Sequence, residues 1–179
     1  KANQQTCNGN GDGMVSPASA ASRTGEMFGL WKQLANAGLI EGNYSGIASS
    51  GIQYDTLIGD NTPASKIGNV GWSSYYHGNY TGINETWLFA MDYGNNLTVG
   101  TDMNAGLNEG KAFTPAEAWS IDLKLDDGKP GTGRMTIRYW DDCSDAASNG
   151  YSTVSDRTGA SYALTDTAKQ CALYFPKWI

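Results

Sequence analysis

The chain has a single histidine, His77, in 179 residues. A zinc site of ordinary composition would therefore have to lean on cysteine, and no Gly-x-Ser-x-Gly elbow accompanies the histidine to suggest a hydrolase. Cysteine is scarce too: Cys7, Cys143 and Cys171 allow three pairings with one thiol left over, or three reduced buried thiols. Basic residues number 12 against 18 acidic ones, for a formal net charge of -6. With those cations scattered, nothing tracks a phosphate backbone, so no nucleic-acid partner is expected. No apolar run reaches the roughly 18 residues of a membrane span, and no basic and apolar leader opens the chain, so this segment is expected to make no membrane contact.

What is present points to one globular domain spanning 1–179. Hydrophobic residues make up 40% and charged ones 17%, enough for a core of ordinary size. Six Trp, ten Tyr and four Phe beside 23 Gly favour strands and loops packed by large rings over a Leu-rich bundle. The expected class is α+β with much irregular structure. No internal repeat or low-complexity tract appears.

The clearest local signal lies at residues 114–133. Thr114 is a capping residue, Pro115 suits the first helical position, and Glu117 completes a capping box. Ala118, Ile121 and Leu125 recur at helical spacing with Trp119 beside them, predicting an apolar face; Asp126-Asp127-Gly128 and Pro130-Gly131 end the helix. A second helix is predicted from Glu26, with Met27, Leu30, Trp31, Leu34 and Ala37 inward and Gly38 in a left-handed cap. Leu39 and Ile40 are expected to fold back on that face. Residues 1–24 read as a polar loop with little core.

Between 45 and 85 the Gly, Ser, Asn and Tyr content, with Pro63, predicts a surface excursion. Alternation from Thr86 to Tyr93 predicts a strand with Trp87, Phe89, Met91 and Tyr93 inward, and Gly94-Asn95-Asn96 a hairpin turn into Leu97-Thr98-Val99. Arg134 to Trp140 alternates again, with Met135, Ile137 and Tyr139 inward and Arg134, Thr136 and Arg138 outward. Cys171, Leu173 and Phe175 make a last strand. These elements compose a small antiparallel sheet carrying two short helices.

Two segments also carry a resemblance. The run Trp31-x-Gln33-Leu34-x-x-Ala37-Gly38-Leu39-Ile40-x-Gly42-x-Tyr44, preceded by Cys7-Asn-Gly-Asn-Gly-Asp-Gly13, is followed downstream by Ala118-x-x-Ile121-Asp122-x-Lys124-x-Asp126-Asp127-Gly128-x-Pro130-x-Thr132-Gly133. Together they resemble the globular head of bacterial type IV pilin-like and type II secretion pseudopilin-like proteins, over residues 7–44 and 114–175. The resemblance implies an extracytoplasmic structural subunit rather than an enzyme, partnered by like subunits in a helical filament. In that family a cleaved leader and a long hydrophobic helix precede the head. This chain starts after them, so the expectation is a head trimmed from its helix or one relying on a separate chain for it. An apolar groove is expected where that helix would lie. The resemblance also implies a disulfide near the C-terminus, which favours Cys143 with Cys171 and leaves Cys7 free.

Candidate chemistry is sparse. Asn8, Asn10 and Asp12 alternate with glycine at the spacing of a calcium loop, to which Met14 would add its carbonyl and Ser16 its hydroxyl. The twelfth position is Ser19 where a bidentate Glu is expected, so any affinity would be weak, about 10⁻⁴ to 10⁻³ M, unless the loop folds back on Glu26. The bland alternative is an Asx turn held by its own side chains. Asp122, Asp126 and Asp127 invite a carboxylate reading, yet one helix face cannot flank a cleft, and a helix stop is the simpler role. Trp72, Tyr75, Tyr76 and Tyr80 resemble an adhesive surface for carbohydrate or another ligand, against the alternative of rings packed under a loop. Asn43, Asn79, Asn84 and Asn96 fit glycosylation sequons by coincidence in an Asn-rich chain.

Overall fold

The computed structural model describes residues 9–81, 87–138, 142–146 and 154–179. In chain order its elements are α1 (Glu26–Asn36), β1 (Gly71–Asn79), β2 (Asp92–Asp102), β3 (Asn108–Gly110), α2 (Pro115–Leu125), β4 (Thr136–Ile137), α3 (Val154–Gly159) and β5 (Leu173–Phe175). The strands form one antiparallel sheet in the order β1-β2-β5-β4, with β3 also paired to β2. The class is α+β, as the composition predicts. Among the described residues no helix is long and apolar enough to cross a membrane.

The register divides the sheet into two unlike faces. Val99 and Leu173 sit opposite each other, Ile137 follows across Leu173, and these join Phe89, Phe113, Ala118 and Met135 in the main core. Trp72 and Phe175 pack at its edge. Ser73, Thr98, Tyr174 and Thr136 align on the opposite face and are buried as well. A smaller cluster of Val15, Ala18, Met27, Phe28, Ala48 and Leu107 anchors α1. The N-terminal segment thus contributes two core residues despite its polar composition.

The two predicted helices, α1 and α2, start and stop where expected, but their buried faces differ from the expectation. Gly38, at φ 71, closes α1 in a Schellman arrangement: the Gly38 amide donates to Ala35 O and the Leu39 amide to Leu34 O. The buried stripe of α1 is Met27, Phe28, Gly29 and Trp31; Ala37 is exposed, and Leu39, 70% exposed, does not fold back. In α2 the capping box between Thr114 and Glu117 is complete, and Pro115 occupies the first turn. Its buried face is Pro115, Ala118 and Asp122, while Trp119 and Leu125 point outward. An aspartate has displaced an apolar residue from the inner stripe.

Four strand-level expectations need correction. Residues 87–91 form no strand: Leu88, Phe89, Ala90 and Met91 are all buried while Trp87 is 43% exposed, so burial is continuous rather than alternating. Gly94-Asn95-Asn96 lies inside β2, where Gly94, at φ 53, accommodates register irregularities opposite Tyr76 to Asn79. The partner of β2 is β1, so residues 45–85 are not a mere surface excursion; Thr56, Asn61 and Thr62 within them are buried. Thr136 in β4 and Arg138 just after it are buried alongside Ile137 because both sheet faces are covered. Tyr139, Trp140, Thr86, Asn84 and Cys7 lie outside the described residues.

The expected disulfide is present. Cys143 and Cys171 are bonded with their Cα atoms 5.0 Å apart, and Cys171 also bridges to Phe113 just ahead of α2.

Candidate functional site

Four places carry groups capable of binding or chemistry. The first is the N-terminal loop, of whose predicted ligands Asn8 falls outside the described residues. Asn10 Oδ1 accepts the Asp12 amide at 3.0 Å, and Asp12 Oδ1 accepts the Met14 amide at 2.8 Å. The loop does fold back on Glu26, whose two carboxylate oxygens accept the amides of Asn10 at 2.8 Å and Ser16 at 3.1 Å. Asn95 in β2 fastens the same segment, donating to Gly13 O and accepting from the Val15 amide, both at 2.8 Å. These side-chain oxygens hold the loop's own backbone.

The second is the aromatic run, which strand geometry distributes over both faces of β1. Trp72 stacks on Phe175 at 6.2 Å between ring centres. Tyr75 meets Tyr54 edge-on at 5.3 Å and His77 at 5.0 Å, and Tyr80 meets Tyr93 edge-on at 6.0 Å. Tyr76 is half-buried. Trp72, Tyr75 and Tyr80 therefore each have a ring partner within the fold. Asn96, the acceptor position of one sequon, is fully buried in β2.

The third was invisible in the sequence. Glu109 of β3 lies inside the polar sheet face, with His77 Nε2 3.5 Å from its Oε1 and an Arg138 nitrogen 3.8 Å from its Oε2. Arg138 also donates to the Glu109 carbonyl at 3.1 Å. Burial by itself would raise the Glu109 pKa, but the imidazole of His77 and the charge of Arg138 beside it outweigh burial and hold the carboxyl below its ordinary value. The Tyr174 hydroxyl is pushed well up, by burial first and then by the charge of Glu109. The arrangement stores charge in the interior rather than offering it to a cleft. The alternating strand pattern had placed Arg138 in solvent, and nothing near Glu109 in the sequence marked its burial.

The fourth is the end of α2, where the sequence did single out the residues. Asp122 is fully buried and its Oδ2 accepts the Tyr162 hydroxyl at 2.8 Å. Asp126 accepts the Arg134 amide, while Asp127 accepts the Lys129 amide at 2.9 Å and the Thr132 hydroxyl at 2.6 Å. These bonds lock the turn, the structural role expected of them. The turn also gathers one oxygen from each of the three carboxylates within 4.8 Å of one another, close enough to hold a metal ion. Burial, then the charges of Asp127 and Asp126, push the Asp122 pKa up to about 6 against the pull of the Tyr162 bond. The i, i+4 spacing from Ala118 to Asp122 was the available sign that this aspartate faces inward.

Comparison with known proteins gives no match: no family model, curated protein or solved structure matches the chain.

Proposed function

We propose that the chain is a non-enzymatic structural subunit, the extracytoplasmic head of a type IV pilin-like or type II secretion pseudopilin-like protein that assembles with like subunits into a helical filament. The observation that carries this reading is the outer face of α2. Trp119, Leu123 and Leu125 are 36%, 54% and 51% exposed on a helix held rigid at one end by a capping box and at the other by the turn at Asp126 and Asp127. A preorganised apolar face of this kind suits protein contact, because little side-chain or backbone ordering remains to be done on association. The Cys143–Cys171 disulfide suits an oxidising compartment. Both segments that carry the family resemblance fold as helices closed by glycine turns, which supports the same reading.

The test is assembly in the source cell. Leu123→Asp should leave the fold intact, as read by circular dichroism, and abolish incorporation into filaments labelled by antibody against this chain in electron microscopy. Absence of any filament carrying the chain, or undisturbed filaments with Leu123→Asp and with Trp119→Asp, would overturn the reading.

A further inference from the structure

We propose that Asp122, Asp126 and Asp127 form a binding site for a hard divalent cation at the C-terminal end of α2. Three carboxylates near one another are not by themselves a site, since acidic turns are common. The distinguishing observation is Asp122. This carboxylate is completely buried, yet only one of its oxygens is satisfied: Oδ2 takes the Tyr162 hydroxyl, while Oδ1 has no partner in hydrogen-bond geometry. The Gly128 amide is near enough to draw the carboxyl's pKa down somewhat, but it does not complete that oxygen. A buried charged oxygen without a partner is costly, and a cation is the ligand that offsets the cost most fully.

The surroundings select the class of ion. All three donors are carboxylate oxygens, the preference of hard cations; no sulfur or imidazole joins them. The three oxygens lie within 4.8 Å of one another, a span that one hard cation bridges with metal–oxygen distances of about 2.0–2.6 Å. The site also sits at a helix C-terminus, where the unpaired carbonyls carry partial negative charge and favour a cation. Tyr162 orients Asp122, and the amides of Arg134 and Lys129 with the Thr132 hydroxyl orient the other two, so every carboxylate is already fixed by a neighbouring donor. This site is separate from the N-terminal Asn10 and Asp12 loop, whose oxygens hold their own backbone.

Terbium luminescence in the full chain provides the test, because Trp119 lies against the Gly128 turn and can sensitise a bound lanthanide. Terbium should give saturable emission that excess calcium or magnesium displaces. Asp126→Asn and Asp127→Asn each keep an oxygen for the amide they accept and remove one charge; each should weaken binding about tenfold or more. Asp122→Asn should do the same if it folds, and Asp12→Asn should change nothing. Absence of saturable emission at millimolar terbium would overturn the site. So would emission abolished by Asp12→Asn and untouched by Asp126→Asn and Asp127→Asn. So would emission that neither calcium nor magnesium displaces.

Discussion

The Tyr162 hydroxyl donates to Asp122 Oδ2 at 2.8 Å, and this bond fastens the inner face of α2 to the segment that bridges to Ser144, next to the disulfide. Tyr162→Phe keeps the ring and removes the donor, leaving a buried carboxylate with neither oxygen bonded. A hydrogen bond to a charged group contributes about 1.5–3 kcal/mol, so urea unfolding at pH 7 should show a loss of that size. A change under about 0.5 kcal/mol, within the range of an ordinary surface substitution, would mean that water reaches the carboxylate and takes over the bond.

The disulfide joins residues 28 apart, and closing a loop of that length stabilises the folded state by about 3.5 kcal/mol on the chain-entropy model. Replacing Cys143 and Cys171 together by Ala should lower stability by roughly that amount plus the cost of two small cavities in the main core. Both sulfurs are buried, so reduction of the native protein should wait on local opening and become fast only in denaturant. Rapid reduction under native conditions would contradict the packing described around Cys143 and Cys171.

Thr114→Ala removes the hydroxyl that accepts the Glu117 amide and donates to the Glu117 carboxylate, both at 3.2 Å, and leaves only the residue 114 amide bonded to that carboxylate at 2.9 Å. The expected loss is about 1 kcal/mol by chemical denaturation, with hydrogen exchange accelerating first in the opening turn of α2. Glu117→Ala should cost less, because the Thr114 hydroxyl still caps the helix.

The extent to which the sequence exposed this structure follows from where the determining contacts lie. Capping boxes, glycine caps and helix stops are set by residues three or four apart, so α1 and α2 were legible with nearly correct ends. Which face each helix buries depends on what packs against it, and there a buried Asp122 took the place expected of Leu125. The same limit hid β1. Its Ser, Gly and Tyr composition looks like a loop, and it becomes a strand because β2 supplies a partner and both faces are covered. Gly94 misled for a related reason, since a positive φ serves a bulge as well as a hairpin turn. The pair of Glu109 and His77 brings together residues 32 positions apart through a third strand, and no local pattern encodes such a meeting.

Glu109 should govern the acid limb of stability. Its carboxyl is held below the ordinary value of 4.5, so the folded protein keeps the ionised form more tightly than the unfolded chain does. That contribution is present in full above about pH 4.5 and is lost as pH falls through the lowered folded value. The groups facing the carboxylate are His77 from β1, Arg138 just after β4, and the Tyr174 hydroxyl from β5. Glu109→Gln keeps the shape but leaves Arg138 beside a neutral amide in the interior, and breaking a buried pair in this way costs about 3–5 kcal/mol. Urea midpoints measured from pH 3 to pH 7 should therefore show the variant much less stable than the parent at pH 7, with the gap narrowing below about pH 4.5 as the parent loses its ionised carboxylate. Parallel curves for the two proteins across that range would show that Glu109 is not the group whose protonation drives acid unfolding.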